Sequence, residues 1–451
     1  MAVVATVALV TTGCQWTMAR FDSGNTADNP GETTLSGSDI GGLGVEWSAA
    51  LGAGVTSTSE PVLAGNTVYV GVGRANATGT LSAYSADASV GCSGSPLSCT
   101  PLWTASGGAF GQPLVNGAFV YVDRGGTLEA YDASGQTNCS GSPVACQPVW
   151  SGTGGGAQPR VAGSRLYVLN GAGEIDAYAT STSTSSCTGS PLVCAPVTRY
   201  HVTPACPADV YFAPGVPEDL YTCRVRTFAV DGSQLLMGVE VDGEIFSPTM
   251  GEIGTGSGGL VASFDLASPS APTWTSWSLG GTGGVPPVDG LVALGDTYMT
   301  GDTGDTLGDF ASSLFAVTSA GQLDWSAPRS YFGLAATADT LFGAEGSSVD
   351  AYATTGGCGQ SCTPVRRYQD AASSAISTSP AVAADVLYVG AGGGIDAYSA
   401  TGALNCSAGT PVTCTPLRTV ALGGAASALS VSDGLVFVTT GDGRLIVLGL
   451  T

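Results

Sequence analysis

Residues 113–133 read PLVNGAFVYVDRGGTLEAYDA, and this stretch decides the fold because close copies of it recur along the chain. Each copy offers two short alternating strands joined by a tight turn, followed by a third strand that ends in Ala-Tyr. The other copies begin with PVLAGNTVYVGV (61–72), PRVAGSRLYVLN (159–170) and PAVAADVLYVGA (380–391). Tyr84, Tyr131 and Tyr178 mark the third strands at intervals of 47 residues. A fixed period of this size indicates stacked structural units.

A fourth short strand follows each third strand, as in PLWTA (101–105), PVWSG (148–152) and PVRRY (364–368). The unit is therefore a four-stranded antiparallel blade, with looser copies at 227–278, 286–326 and 331–369. Residues 427–450 supply only three strands, whereas VEWSA (45–49) is a fourth strand with no repeat before it. Pairing these two segments closes a ring and leaves no open sheet edge. We predict an all-β fold, an eight-bladed β-propeller closed by pairing of an N-terminal strand with the C-terminal blade.

The N-terminus predicts export. Residues 2–10, AVVATVALV, form an apolar run too short to span a bilayer, and TTGC follows. This pattern resembles the lipobox of bacterial lipoproteins, which implies lipid attachment at Cys14. An ordinary cleaved signal peptide with a stray cysteine is the alternative. The chain then divides into a signal peptide (1–14), a lead-in segment (15–44) and the propeller (45–451), located at the cell surface or in the periplasm.

The other twelve cysteines fall into close pairs along the sequence. A zinc site would favour two to four intervening residues and two converging pairs, whereas the commonest gap here is six and the pairs lie in separate repeats. Local disulfides, which persist outside the cytosol, therefore explain them better. Each would staple the hairpin between the third and fourth strands of a blade or a longer loop. The predicted pairs are Cys92/Cys99, Cys139/Cys146, Cys187/Cys194, Cys206/Cys223, Cys358/Cys362 and Cys406/Cys414.

The charge balance excludes several classes of function. The chain has 35 acidic and 13 basic residues, a formal net charge of -22, which repels phosphate backbones and argues against nucleic-acid binding. It contains a single histidine, His201, so most histidine-dependent catalysis and multi-histidine metal sites are excluded by count. We interpret His201 as structural.

The repeat motifs carry a resemblance to a known family. The Gly-x-[Leu/Ile]-x-Ala-Tyr-x-Ala third strand, the Trp-Ser or Trp-Thr fourth strand and the lead-in RFDSGNTADNPGETTLS (20–36) resemble bacterial proteins with pyrroloquinoline-quinone-like (PQQ-like) propeller repeats. That group includes quinoprotein dehydrogenases and also cofactor-free scaffold lipoproteins of the outer-membrane assembly type. The resemblance implies, for quinone-dependent members, a ring disulfide between adjacent cysteines, a tryptophan platform and a calcium ion. No Cys-Cys dipeptide occurs in this chain, so we predict no bound quinone. We also predict no metal site.

Two recurring residue types admit a functional and a structural interpretation. Four tryptophans could form a cofactor floor, but they occupy one repeat position on the fourth strand, which favours packing between neighbouring blades. Aspartates recur just before Ala-Tyr and could suggest metal binding or acid-base chemistry. Ser82 and Glu129 take the equivalent place, which favours a polar strand face instead. These residues are Trp47, Trp103, Trp150 and Trp325, and Asp176, Asp350 and Asp396.

Three long segments, 203–224, 240–259 and 301–312, are predicted to emerge on one face of consecutive blades. Loops longer than their connection requires are often functional. The sequence GDTGDTLGD (301–309) could hold calcium, but its carboxylate spacing favours a solvated turn. We expect a partner-binding rim formed by Tyr211, Phe212, Glu218, Asp219, Tyr221, Asp242, Glu244, Phe246, Asp302, Asp305 and Asp309.

These features favour a non-catalytic, exported and monomeric propeller that acts as a protein- or ligand-binding scaffold at the cell surface, with another protein or a cell-wall component as its partner. The alternative is a quinoprotein-dehydrogenase-like enzyme with its site in the central funnel. In that case the residues at the starts of the first strands, Glu60, Gln112 and Gln158, would line the mouth of the funnel.

Overall fold

The repeats fold into short antiparallel strands throughout the described chain. The computed structural model describes residues 15–181, 186–202, 222–247, 251–277, 288–301, 314–329, 331–354 and 361–451. Within these ranges the only helical element is a 3-10 helix at Ile40–Gly42. This part of the chain contains no helix with the length and apolar character needed to cross a membrane. The predicted all-β propeller class is confirmed.

The strands are numbered in chain order. Those of the N-terminal third are β1 (Asp28–Asn29), β2 (Leu43–Ala50), β3 (Val55–Thr58), β4 (Val62–Ala64), β5 (Thr67–Arg74), β6 (Thr78–Ser85), β7 (Cys92–Ser93), β8 (Leu97–Cys99), β9 (Trp103–Gly108), β10 (Leu114–Asn116), β11 (Phe119–Asp123), β12 (Leu128–Asp132), β13 (Cys139–Ser140), β14 (Ala145–Cys146) and β15 (Trp150–Gly152). Those of the middle are β16 (Ala157–Ala162), β17 (Arg165–Leu169), β18 (Ile175–Ala179), β19 (Cys187–Thr188), β20 (Leu192–Cys194), β21 (Thr198–Tyr200), β22 (Thr222–Asp231), β23 (Gln234–Ser247), β24 (Gly251–Asp265), β25 (Trp274–Trp277), β26 (Val288–Leu294), β27 (Asp296–Gly301), β28 (Leu314–Val317) and β29 (Leu323–Ala327). The remaining strands are β30 (Gly333–Ala336), β31 (Thr340–Glu345), β32 (Ser348–Ala353), β33 (Arg366–Tyr368), β34 (Ala381–Ala383), β35 (Val386–Ala391), β36 (Gly394–Ser399), β37 (Cys406–Ser407), β38 (Val412–Cys414), β39 (Arg418–Ala421), β40 (Ala426–Ser432), β41 (Leu435–Thr440) and β42 (Arg444–Leu450).

These strands form eight sheets in the described residues, and each sheet is built on four antiparallel strands. We number the sheets in the chain order of their first, inner strands. Their four main strands are β4, β5, β6 and β9 (sheet 1); β10, β11, β12 and β15 (sheet 2); β16, β17, β18 and β21 (sheet 3); β22 to β25 (sheet 4); β26 to β29 (sheet 5); β30 to β33 (sheet 6); β34, β35, β36 and β39 (sheet 7); and β40, β41, β42 and β2 (sheet 8).

Sheet 8 joins the two ends of the described chain. Strand β2 pairs antiparallel with β42, so that Leu43 lies opposite Leu450 and Ala50 opposite Arg444. The predicted pairing of the segment around Trp47 with the last strand is therefore confirmed. Pairing the first and last segments of a propeller in one sheet ties the ring together at its seam.

Local sequence explains the strand pattern. The turns between first and second strands place Gly65, Gly117 and Gly163 at φ values of 58° to 59°, a conformation that glycine adopts without a steric penalty. The second strands, such as Val120, Tyr121 and Val122, are fully buried on both faces. Two-sided burial follows because each sheet is packed between its neighbours, so these strands are continuously apolar rather than alternating.

The recurring tryptophans pack between neighbouring sheets, as predicted. Trp103 at the end of sheet 1 stacks against Tyr131 of sheet 2, with ring centroids 6.4 Å apart. The same pairing joins Trp150 to Tyr178 at 6.1 Å, Trp325 to Tyr352 at 5.7 Å and Trp47 to Tyr84 at 6.1 Å. Each fourth-strand tryptophan therefore contacts the Ala-Tyr tyrosine of the next sheet.

Four of the predicted disulfides lie within the described residues and are confirmed. They join Cys92 to Cys99, Cys139 to Cys146, Cys187 to Cys194 and Cys406 to Cys414. Cys223 and Cys362 are also disulfide-bonded, and their predicted partners, Cys206 and Cys358, lie outside the described residues. Cys14 lies outside them too.

The disulfide hairpins have a second role that the sequence did not reveal. Each one reaches back to the preceding sheet and adds a parallel strand to its outer edge. Strand β8 pairs with β2, β14 with β9, β20 with β15 and β38 with β33. An isolated parallel bridge between Ser326 and Ser361 makes the same connection from sheet 6 to sheet 5. The hairpins therefore cover outer edges that would otherwise expose unpaired backbone groups.

Candidate functional site at the propeller axis

The inner edges of the sheets are bound by the lead-in segment. We call residues 15–29 the strap. Six carbonyl groups of the strap each accept a hydrogen bond from the backbone N–H of an inner strand, with N to O distances of 2.7 to 2.8 Å. The donors, in chain order, are Leu63, Val115, Val230, Ala293, Ala336 and Val382, and the acceptors are Trp16, Thr17, Ser23, Gly24, Thr26 and Ala27.

The donors occupy equivalent positions in their repeats, near the end of each inner strand. They belong to sheets 1, 2, 4, 5, 6 and 7, and the strap meets these sheets in the same order as the chain does. The side chain of Asn29 then donates to the carbonyl of Val431 in sheet 8 at 2.8 Å. The strap therefore follows the inner strands around the ring and bonds to them mainly through its own backbone.

Polar side chains connect the strap to the remaining inner strands. The Asn25 amide donates to the carbonyls of Phe228 and Leu291 at 2.9 and 3.0 Å. Its Oδ1 accepts a hydrogen bond from Nε of Arg160, in sheet 3, at 2.6 Å. The Arg20 guanidinium donates to the carbonyls of Pro380 and Leu334, in the opposite part of the ring.

Glu60, predicted as a funnel residue, is a partner of the strap. Its Oε1 accepts hydrogen bonds from the Trp16 indole at 2.6 Å and from the Arg20 backbone N–H at 2.8 Å. Gln112 bonds both to the Glu60 N–H, at 2.9 Å, and to the Glu60 carbonyl, at 3.0 Å. The structure thus brings Glu60 and Gln112 together, but in contacts within the protein. Gln158 stands apart and donates to the carbonyl of Arg226.

The charges at the axis are coupled to one another. Burial raises the pKa of Glu60, although the nearby Arg20 guanidinium opposes this rise. Burial also lowers the pKa of Arg160 to about 10 and raises the pKa of Asp22. The pKa of Asp28 rises to about 7, first because of burial and second because of repulsion by Asp22. Two arginines and three carboxylates therefore share one partly desolvated region.

The recurring acids before Ala-Tyr are internal ion-pair and hydrogen-bond partners. Asp176, which is fully buried, accepts two hydrogen bonds from Arg199 at 2.6 and 3.1 Å. Arg367 binds Asp350 in the same way at 2.7 and 3.0 Å. In both pairs the arginine lies directly opposite on the fourth strand. These contacts support the polar strand face and leave the carboxylates spread over separate sheets.

His201 lies at the outer side of sheet 3, where its Nδ1 is 2.7 Å from Glu174 Oε1 and its side chain is 58% exposed. The described residues contain no group of three or more histidine, cysteine or acidic side chains placed to hold a metal ion. Glu174 is also 3.8 Å from Nε of Arg199, so His201 lies beside the Arg199–Asp176 pair at the surface of sheet 3.

The predicted rim is only partly within the described residues. Asp242, Glu244 and Phe246 lie in β23, where the segment predicted as a loop continues the β23–β24 hairpin up to the pair Ser247 and Gly251. The alternating sequence VEVDGEIF (239–246) explains this longer ladder. The other rim residues lie outside the described residues: Tyr211, Phe212, Glu218, Asp219, Tyr221, Asp302, Asp305 and Asp309.

The residues in place do not match the donor set that a quinone cofactor requires according to the family resemblance. The recurring tryptophans lie between sheets rather than at the axis, since Trp47 and Trp150 are 1% exposed and contact the tyrosines of the next sheet. The acidic groups near the axis are bound to the strap or to the arginines beside it.

Sequence analysis does not predict the cluster of side chains that holds the strap, which consists of Arg20, Asn25 and Arg160. Their contacts join parts of the chain that are 135 to 360 residues apart. The only signal was the non-repeating, Gly- and Asn-containing sequence of the lead-in, which differs from every blade.

The chain matches no protein-family model and no curated protein. Its fold is similar to that of BamB from Moraxella catarrhalis, with a TM-score of 0.54, 14% identity, and coverage of 90% of this chain and 97% of that chain. It is also similar to the quinohemoprotein alcohol dehydrogenase from Comamonas testosteroni, with a TM-score of 0.61, 12% identity, and coverage of 96% and 80%. A quinohemoprotein alcohol dehydrogenase from Pseudomonas putida HK5 gives a TM-score of 0.59 at 12% identity, with coverage of 97% and 80%. These similarities show a PQQ-like propeller fold and, at such identities, the fold alone.

Proposed function

We propose that this chain is an exported, non-catalytic β-propeller that serves as a scaffold for protein or cell-wall partners in the cell envelope. The proposal rests on the observation that the candidate polar groups are bonded to other groups of the protein. Glu60, Asp176 and Asp350 are held in contacts within the protein, at the axis and between strands. A catalytic site needs a nucleophile, acid or base that faces a substrate. In the described part of the chain, these candidate groups are bound by other residues of the protein.

The location follows from the cysteines. Four hairpin disulfides favour an oxidising compartment outside the cytosol. Attachment of lipid to Cys14 would tether the scaffold to a membrane, and no other membrane contact is proposed. We further infer that the eight sheets form the eight blades of one closed, monomeric ring. Contacts between inner strands of successive sheets, from β4 and β10 through to β34 and β40, support this arrangement.

We assign partner binding to the acidic, aromatic rim. The net charge of -22 favours a basic partner, or one bridged by cations, over an acidic one. No cofactor is proposed, since the residues at the axis bind the strap.

The test is crosslinking on intact cells followed by partner identification. One variant neutralises three rim residues, Glu218→Gln, Asp219→Asn and Asp305→Asn. A matched control neutralises three acids elsewhere, Asp39→Asn, Asp231→Asn and Asp324→Asn. We expect the rim variant to lose the wild-type crosslinks and the control to keep them. Equal crosslinking by both variants would remove the rim from the proposal, and no specific crosslinks from the wild type would remove the scaffold function.

The second candidate is a quinoprotein-like enzyme, which the fold similarity to the quinohemoprotein alcohol dehydrogenases favours. It predicts a quinone chromophore or a stoichiometric metal in purified protein. Visible absorption and metal analysis of the protein purified from its own host distinguish the two functions, because a scaffold of the proposed kind shows neither.

A further inference from the structure

The outer edges of the sheets differ in one respect. Five sheets carry an extra strand or bridge from a neighbouring loop, whereas sheets 3, 4 and 7 end at β21, β25 and β39 in the described residues. An open outer strand offers backbone N–H and C=O groups to any extended segment that can pair with it. The five covered edges show which kind of segment fits this position: a short strand that runs parallel to the edge.

Sheet 3 offers the closest match to a covered edge. Residues 196–200 read PVTRY, and residues 364–368, at the covered edge β33, read PVRRY. At β33 the N–H of Val412 donates to the carbonyl of Val365, and the N–H of Gln369 donates to the carbonyl of Cys414, each at 3.1 Å. The equivalent groups in sheet 3 are the carbonyl of Val197 and the N–H of His201.

The surface beside β21 is open. An open groove of about 450 Å³ is lined by residues 195–199 and by His201. The Arg199 side chain, 42% exposed, is held at this edge by its two hydrogen bonds to Asp176. At β39, by contrast, the Arg418 guanidinium donates to the carbonyl of Leu43, so sheet 8 already approaches that edge.

We propose that β21 is a docking edge for an extended segment of a partner protein, which binds parallel to it as a fifth strand of sheet 3. This inference rests on the proposed scaffold function and names a second surface for it. The covered edges define the occupant. Their added strands end in a buried cysteine, so the partner segment places a small apolar residue opposite Tyr200. It carries no proline at the paired positions and, because the protein is strongly acidic, is neutral or basic.

The probe is a labelled synthetic peptide with the sequence of residues 404–416, closed by its Cys406–Cys414 disulfide. This hairpin is the natural occupant of β33, whose sequence β21 nearly repeats. The control peptide carries Val412→Pro, which removes the N–H that pairs with the edge. Binding to the full chain is measured by fluorescence anisotropy, and hydrogen exchange locates it. We expect protection of the amides in residues 197–201.

Two variants of the protein separate the edge from the side chain. His201→Pro removes the outward N–H, whereas His201→Ala keeps it and loses only the imidazole. Loss of one backbone hydrogen bond, about 1 kcal/mol, corresponds to binding about fivefold weaker. We expect that loss for His201→Pro and for the control peptide, and affinity within about twofold of wild type for His201→Ala. The Val412→Pro peptide tests pairing with the same edge without any change in the protein, so the test remains valid even where His201→Pro disturbs folding.

Equal binding of both peptides, or protection elsewhere on the protein, overturns the proposal. The proposal is also overturned if the amide of His201 is already protected from hydrogen exchange in the absence of peptide. In that case another part of this chain, or a second copy if protection rises with protein concentration, covers the edge. The scaffold function is judged separately: envelope partners that crosslink equally to wild type and to His201→Pro contradict the docking edge and leave the scaffold intact. Absence of any specific partner contradicts the scaffold itself.

Discussion

Replacing Trp16 by alanine tests whether the strap is an integral part of the propeller. The Trp16 side chain is 0% exposed, packs edge-on against Phe21 with ring centroids 5.3 Å apart, and donates to Glu60 at 2.6 Å. Truncation of a buried aromatic side chain to alanine costs about 3–5 kcal/mol. The loss of a hydrogen bond to a carboxylate adds about 1.5–3 kcal/mol, only partly additively. We expect Trp16→Ala to lower the free energy of unfolding by about 4–6 kcal/mol.

Trp16→Phe is the matched control for this change. Phenylalanine keeps most of the buried surface but lacks the indole N–H, so we expect a loss of about 1.5–3 kcal/mol from the hydrogen bond to Glu60. Urea unfolding monitored by far-UV circular dichroism measures both variants, because six other tryptophans would complicate fluorescence. Hydrogen exchange adds a local readout: the amides of Leu63 and Val115, which donate to the strap, should exchange faster in Trp16→Ala.

A small effect would contradict this role of the strap. If Trp16→Ala costs less than about 0.5 kcal/mol, the value of an ordinary exposed site, the strap does not contribute to the stability of the ring. Equal losses for the alanine and phenylalanine variants would instead show that the hydrogen bond to Glu60, and not the packing of the ring, holds the strap.

Three further outcomes follow from the described contacts. Asp350→Ala should destabilise the protein by about 3–5 kcal/mol in urea unfolding, because it leaves Arg367 without its buried partner, and a loss below about 1 kcal/mol would contradict that role. Cys406→Ser combined with Cys414→Ser should cost about 2.5 kcal/mol and increase aggregation measured by light scattering, since the outer edge of sheet 6 loses its ordered cover. The pKa of Asp28 is raised to about 7 in the folded state. The folded protein therefore binds more protons than the unfolded chain between about pH 4 and pH 7. The contribution of Asp28 to stability falls as the pH rises through that window. Asp28→Asn should flatten this part of the stability profile, and an unchanged slope would show that Asp28 is not its source.

The repeating part of the fold could be predicted because its signals are local. Short strand segments, turn glycines and the Ala-Tyr ending each lie within a dozen residues, and they identified the sheets and the tryptophan packing, although the second strands proved to be continuously apolar rather than alternating. The disulfide hairpins show the limit of prediction from local sequence. Cys92 and Cys99 indicated the loop, but nothing in Leu97 and Ser98 indicates that they pair with Trp47 and Ser48. Such pairing uses backbone groups, which every residue except proline offers equally.

The strap escaped prediction for the same physical reason. Its six bonds to the inner strands are made by backbone carbonyls, so the residues that provide them, Thr17 and Gly24 among them, need no particular side chain. Its arginine and glutamate contacts join distant segments that no sequence period relates. Most of the predicted rim lies outside the described residues, and its role stays a prediction.

The variation at one repeat position shows where a specific function can reside. The residue before Ala-Tyr is serine in sheet 1, aspartate in sheet 6 and aspartate in sheet 7, and the residue opposite it on the fourth strand changes with it. Ser82 faces Thr104, Asp350 faces Arg367, and Asp396 faces Thr419, whose hydroxyl donates at 2.6 Å. Arg367 and Thr419 bind the two aspartates from across the strand, and in sheet 2 Arg124 and Tyr131 bind Glu129 at the same repeat position. The recurrence therefore reflects the need to pair buried polar groups rather than a ring-shaped site. The strap, the docking edge proposed on sheet 3 and the proposed rim do not belong to this repeated pattern.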